Sequence, residues 1–158
     1  MTQIYDPKNF DPPSSLGALI SRVRLTLYDR LDQALAPFDL STPQYIVIVL
    51  LANGIASKSS GICKTLAHDP GAMTRVLDRL EEKKLVRRVP DPNDRRSSKI
   101  ELTPEGRALY PKVIAVAVGM INELLEGFTK SEVRQMENFL KRILENAGEA
   151  AHLTKEAP

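Results

Sequence analysis

The chain has 158 residues, 42% of them hydrophobic and 27% charged, with a net charge of +2, one cysteine, two histidines and no tryptophan. That length suits one domain with a core of its own. Cys63 alone excludes an intramolecular disulfide framework, and His68 and His152 stand too far apart for a zinc cluster.

The start of the chain, 1–13, carries Pro7, Pro12 and Pro13 without periodicity and reads as an arm. It does not resemble a signal peptide, and the longest apolar run, Val113 to Ile121, is too short for a bilayer. A soluble cytoplasmic protein without membrane contact is therefore expected. Ser14 or Ser15 can cap a helix in which Leu16, Leu19, Ile20, Val23, Leu27, Leu31 and Leu35 recur at steps of three and four. Pro37 ends it. Ser41-Thr42-Pro43-Gln44 is a second helix start, with a hydroxyl cap, proline in the first turn and Gln in the capping-box position. The wholly apolar Tyr45–Ala52 that follows has no decisive period, so the start signal assigns it to a helix that Asn53-Gly54 closes.

Ser59 or Ser60 opens a short helix with Ile62, Cys63 and Leu66 inward. Asp69-Pro70 starts the next, in which Met73, Val76, Leu77 and Leu80 face the core. Its other face carries Gly71, Thr74, Arg75, Asp78 and Glu82, with Arg79 at the edge. A turn around Ala67-His68 makes the pair a helix-turn-helix unit. The period then changes to two in Leu85–Val89 and Ser98–Leu102, and the intervening Pro90–Arg96 is rich in turn formers, which predicts a β-hairpin with a charged tip. Thr103-Pro104 begins a helix that is apolar nearly all round from Ala108 to Leu125. Thr129 with Glu132 caps a last one carrying Val133, Met136, Leu140, Ile143 and Leu144 on one face.

The expected fold is mainly α with a small β-wing: a winged helix-turn-helix module over 41–103, a helical dimerisation scaffold over 14–36 and 104–146, and arms at 1–13 and 147–158. The terminal helices carry more apolar surface than one small module can cover, which implies a homodimer. Charge is also unevenly placed. Lys58 to Thr103 holds eleven Lys and Arg against seven Asp and Glu, a net +4, whereas the rest of the chain is −2. Such a block suits a surface facing phosphates, although solvation alone puts many cations on a surface. No grouping of His, Cys, Ser and carboxylates forms a catalytic motif and no glycine-rich phosphate loop is present, so neither an enzyme nor a cofactor is expected.

The stretch Met73-Thr74-Arg75-Val76-Leu77-Asp78-Arg79-Leu80-Glu81 resembles the recognition helix of MarR-type winged-helix transcriptional regulators. Asp91-Pro92-Asn93-Asp94-Arg95-Arg96, followed by Ile100-x-Leu102-Thr103-Pro104-Glu105-Gly106, is similar to that family's wing-to-helix signature. The resemblance runs from about Leu16 to Leu144 and implies a dimer, most simply a repressor, on a palindromic operator of double-stranded DNA, loosened by a small ligand. Two positions depart from it: Lys84 stands where the family usually has Gly, and Gly61 where it has a polar or acidic residue.

On this reading Asp69-Pro70 presents a helix N-terminus to DNA, and Gly71, Ala72 and Thr74 are small enough for close approach to the major groove. Arg75 is the candidate for a bidentate contact to guanine, its alternative being a solvated cation. Arg79 either meets a phosphate or pairs with Asp78 or Glu82. Arg95, or else Arg96, enters the minor groove from the wing. The resemblance also suggests that Asp94 and Arg96 brace the loop. Arg87, Arg88 and Lys99 are expected on phosphates. His68 is expected at the turn as a capping or phosphate-side residue, and Cys63 as a buried structural thiol, with a redox-responsive regulator as its alternative. The resemblance places an effector site between scaffold and module. There Arg22, Arg24 and Tyr45 could meet an aromatic carboxylate or phenol, unless the two arginines are simply exposed. A winged-helix module that binds protein in place of DNA is the remaining alternative.

Overall fold

Helix starts are decided within four residues, and the chain uses the same device five times. The computed structural model describes residues 4–66, 69–91 and 94–148, with backbone alone for 94–97. Helix α1 (Leu16–Leu35) begins where the Ser15 hydroxyl accepts from the Ala18 N–H. Helix α2 (Thr42–Ala52) begins on the capping box of Ser41 and Gln44. Helices α4 (Pro70–Glu82) and α5 (Pro104–Leu124) begin on Asp69 and Thr103, each with proline in the first turn, and α6 (Lys130–Asn146) begins on the box of Thr129 and Glu132. Each cap satisfies N–H groups that have no partner inside the helix. Helix α3 (Ser59–Leu66) is the short supporting element packed on α4; Ala67 and His68, where a turn is expected, lie outside the described residues.

Helix α2 threads the middle. Val47, Ile48 and Leu50 are fully buried against Leu35 of α1, Ile62 of α3, Met73 and Leu80 of α4 and Val113 of α5. Each such side chain contributes roughly 1.5–3 kcal/mol on leaving water, which outweighs the ambiguous period of this segment. The start of α2 is tied to α1 by polar contacts: the Thr42 N–H donates to the Asp32 carboxylate at 2.5 Å and its hydroxyl to the Tyr28 carbonyl.

Strands β1 (Val86–Asp91) and β2 (Asp94–Leu102) form one antiparallel hairpin. The ladder extends further toward the tip than the sequence predicts: Pro90 and Asp91 belong to β1, and Asp94, Arg95 and Arg96 to β2, where a turn was expected. Pairing is regular from Val86 opposite Leu102 to Pro90 opposite Ser98, then jumps to Asp91 opposite Asp94. Residues 95–97 therefore stand as extra residues on β2 at this shift in register. Such a bulge hides the strand from a period-two pattern.

The base of the hairpin is latched to α5. The Thr103 hydroxyl donates to the Lys84 carbonyl at 2.6 Å, and the Thr103 N–H to that of Leu85. Gly106 sits so close to the Leu85 carbonyl that a Cβ there would collide with backbone. The Thr-Pro-Glu-Gly run thus has a packing cause. Cys63, expected buried, is half-buried at the edge of the core. The start of the chain is more ordered than its prolines suggest: Tyr5 packs edge-on against Phe10, and its hydroxyl accepts from the Leu16 N–H.

Candidate nucleic-acid interface

Helix α4 turns Met73, Leu77 and Leu80 into the core, and this fixes which side chains point away. Gly71, Thr74 and Arg75 are exposed beside its N-terminus, and Ala72 is half-buried. The Asp69 carboxylate accepts from the Ala72 N–H at 2.9 Å. That bond, with the Gly71 N–H and the positive charge of Arg75, holds the Asp69 carboxyl below its ordinary range. Gly71 also has a local duty, since a Cβ there would come within 3.1 Å of the capping oxygen. The Thr74 hydroxyl donates to the Pro70 carbonyl within its own helix. Arg75 makes no ion pair among the described residues. Its guanidinium is exposed beside a helix N-terminus, an arrangement that suits an anionic backbone or a base edge.

Arg87, Arg88 and Lys99, the three cations expected on phosphates, are each engaged with carboxylates. Arg88 of β1 reaches Asp78 at 2.5 Å and Glu81 at 2.6 Å, both on α4. This fork ties the hairpin to α4, and it takes Asp78 away from Arg79. Arg87 pairs across the hairpin with Glu101 at 3.1 Å. Lys99 lies 3.5 Å from Asp91, which also pairs with Lys58 at 2.7 Å. Arg79 is exposed over a groove of about 590 Å³ that also borders Asp32, Asp39, Glu82 and Lys83. Lys83 bonds the Asp39 carbonyl and its carboxylate, pinning the end of α4 to the connection between α1 and α2. The side chains of Asp94, Arg95 and Arg96 lie outside the described residues.

A second cavity, of about 300 Å³, opens between α1, α2 and α5. Leu27, Tyr28, Leu31, Tyr45, Met120 and Ile121 line it. Burial and the neighbouring Tyr110 hold the Tyr45 phenol above its ordinary range, so it stays protonated and able to donate. Arg22 and Arg24 do not line this space. Both are exposed, and the Arg24 guanidinium lies over the Tyr28 ring, 5.5 Å from its centre. Tyr28, two turns before the end of α1, is the cavity residue that the sequence reading passed over. Its place beside Tyr45 depends on how α1 crosses α2, which no local pattern states.

The MarR family model matches residues 38–97. The multiple antibiotic resistance protein MarR of Escherichia coli K12 is 34% identical over 130 residues, covering 82% of this chain and 90% of that protein. A structure of a MarR variant from Escherichia coli complexed with operator DNA superposes with a TM-score of 0.75 at 32% identity, covering 85% of this chain and 99% of that one. CouR from Rhodococcus jostii bound to p-coumaroyl-CoA gives 0.74 at 29% identity, covering 92% and 96%.

Proposed function

The chain belongs to the MarR family of winged-helix transcriptional regulators, and from that membership we propose that two copies of it bind a palindromic operator, as a repressor, and release it when a small aromatic or phenolic ligand binds. The observation that carries this reading is the exposed face of α4, where Gly71, Thr74 and the exposed Arg75 stand at a capped helix N-terminus. Arg75 reads a guanine, Ala72 allows close approach, and Arg79 meets a phosphate at the edge. Arg95 enters the minor groove from the wing, with Asp94 and Arg96 bracing the loop. Arg87 and Lys99 keep phosphate-side places, and Arg88 acts by holding wing and helix together. The module spans 41–103, the scaffold 14–36 and 104–146, and the site of action is the cytoplasm, where a regulator meets its operator.

The ligand enters the cavity between α1, α2 and α5. Its lining is apolar and aromatic, with the Tyr45 hydroxyl as a polar anchor, which suits a phenol or aromatic acid. The solved neighbour holding p-coumaroyl-CoA is a relative whose bound molecule carries such an aromatic group. Duplex DNA from upstream of the protein's own gene, in a mobility-shift titration, tests the reading. Arg75→Ala is expected to cost about 1–3 kcal/mol of binding. A panel of aromatic acids and phenols should raise the protein concentration needed for the shift. Equal binding by Arg75→Ala and the unaltered protein would contradict the assignment of α4.

A further inference from the structure

Asp91 is the last residue of β1, and its carboxylate is buried, with 1% of the side chain exposed. A carboxylate removed from water must be compensated by neighbouring charge. Among the described residues two cations supply it: Lys58 Nζ at 2.7 Å, from the segment leading into α3, and Lys99 Nζ at 3.5 Å, from β2. The same residue stands at the break in the ladder. Up to Pro90 opposite Ser98 the hairpin is held by regular register; beyond it the register jumps to Asp91 opposite Asp94, and Pro90 has no N–H to donate. The regular part of the ladder therefore ends at Asp91. A lateral strut is present at this point, because the Ser57 carbonyl accepts from the Ile100 N–H at 2.7 Å and the Lys58 carbonyl accepts from Ile62 in the first turn of α3.

We propose that Asp91 is a positioning residue that, through its ion pairs with Lys58 and Lys99, sets the pose of the arginine-bearing half of the wing relative to the helix-turn-helix. This rests on the reading of the wing as a DNA-contacting element. Asp91 is too deeply buried to touch DNA, so its effect on binding passes through the wing. Aspartate suits the place because its short stem holds the carboxylate at the ladder while the longer lysines reach to it. Asparagine keeps the shape and removes the charge.

The test is a double-mutant cycle on operator binding, using the full-length protein and duplex from upstream of its own gene. Asp91→Asn is expected to weaken binding about five- to tenfold and to shallow the slope of log affinity against log salt by about two, one contact per wing of a dimer. Arg95→Ala should then add little in the Asp91→Asn background, although it weakens the unaltered protein strongly. Lys58→Met opens the same pair from its exposed end and must show the same coupling to Arg95, which decides the matter if Asp91→Asn fails to fold. Losses that simply multiply, with an unchanged salt slope, would overturn the positioning role while leaving DNA binding intact. Unaltered protein indifferent to the duplex would overturn the DNA reading and this inference with it.

Discussion

Lys84 has a backbone φ of +59°, in the left-handed region, directly after α4. Its N–H bonds the Glu81 carbonyl while the Leu85 N–H reaches back to Leu80, a helix end that normally uses glycine. Lys84→Gly is therefore expected to stabilise the protein by about 1 kcal/mol, read as a higher urea midpoint with unchanged slope. Gly106→Ala should do the opposite, costing about 2 kcal/mol or more, because backbone must move to admit the methyl group. At Asp69 the sign of a pH effect follows from its lowered carboxyl pKa. The capping contribution is complete above the ordinary carboxylate range and is lost as pH falls through the lowered folded value. Asp69→Asn cannot titrate, so the stability difference between it and the unaltered protein should shrink on acidification. A difference that stayed constant from neutral to acid pH would contradict this origin. These features were legible in the sequence because caps, left-handed turns and close glycine contacts are decided by residues a few positions apart. The Arg88 fork and the Lys58–Asp91 pair were not, because composition records the charges without saying which meet across elements.

Among the elements, α3 carries the other family departure. Gly61 lies inside this eight-residue helix, and a Cβ there would meet Ala56 at an ordinary 3.5 Å. Gly61→Ala should stabilise by about 0.5–1 kcal/mol through the restricted unfolded chain, measurable by thermal or urea unfolding. The hairpin shows where element reading falters. Its base alternates cleanly and was placed correctly, whereas the bulge and proline near the tip disguised the outer strand as turn. Helix α2 is the reverse case: an all-apolar run without period became legible through its start signal, Ser41 to Gln44 with Pro43 in the first turn.

At the scale of the whole molecule, α6 has no buried residue, and Met136, Phe139, Leu140, Ile143 and Leu144 are all substantially exposed, as are Leu16, Leu19, Ile20 and Val23 of α1. So much apolar surface on the terminal helices is the physical reason for proposing a dimer. Leu140→Asp combined with Ile143→Asp should weaken self-association roughly a hundredfold or more, since each leucine-sized group withdrawn from an interface is worth about 1.5–3 kcal/mol. Sedimentation should then show single chains where the unaltered protein gives pairs. Apolar excess was readable from composition and period, but how much of it stays exposed required the fold. Two copies reading one duplex is the claim on which site, partner and ligand response all depend. Sedimentation of the protein with duplex from upstream of its own gene, across a salt series, should give two chains per duplex and an affinity that falls steeply with salt. A single chain that stays single and ignores the duplex at low salt would contradict it.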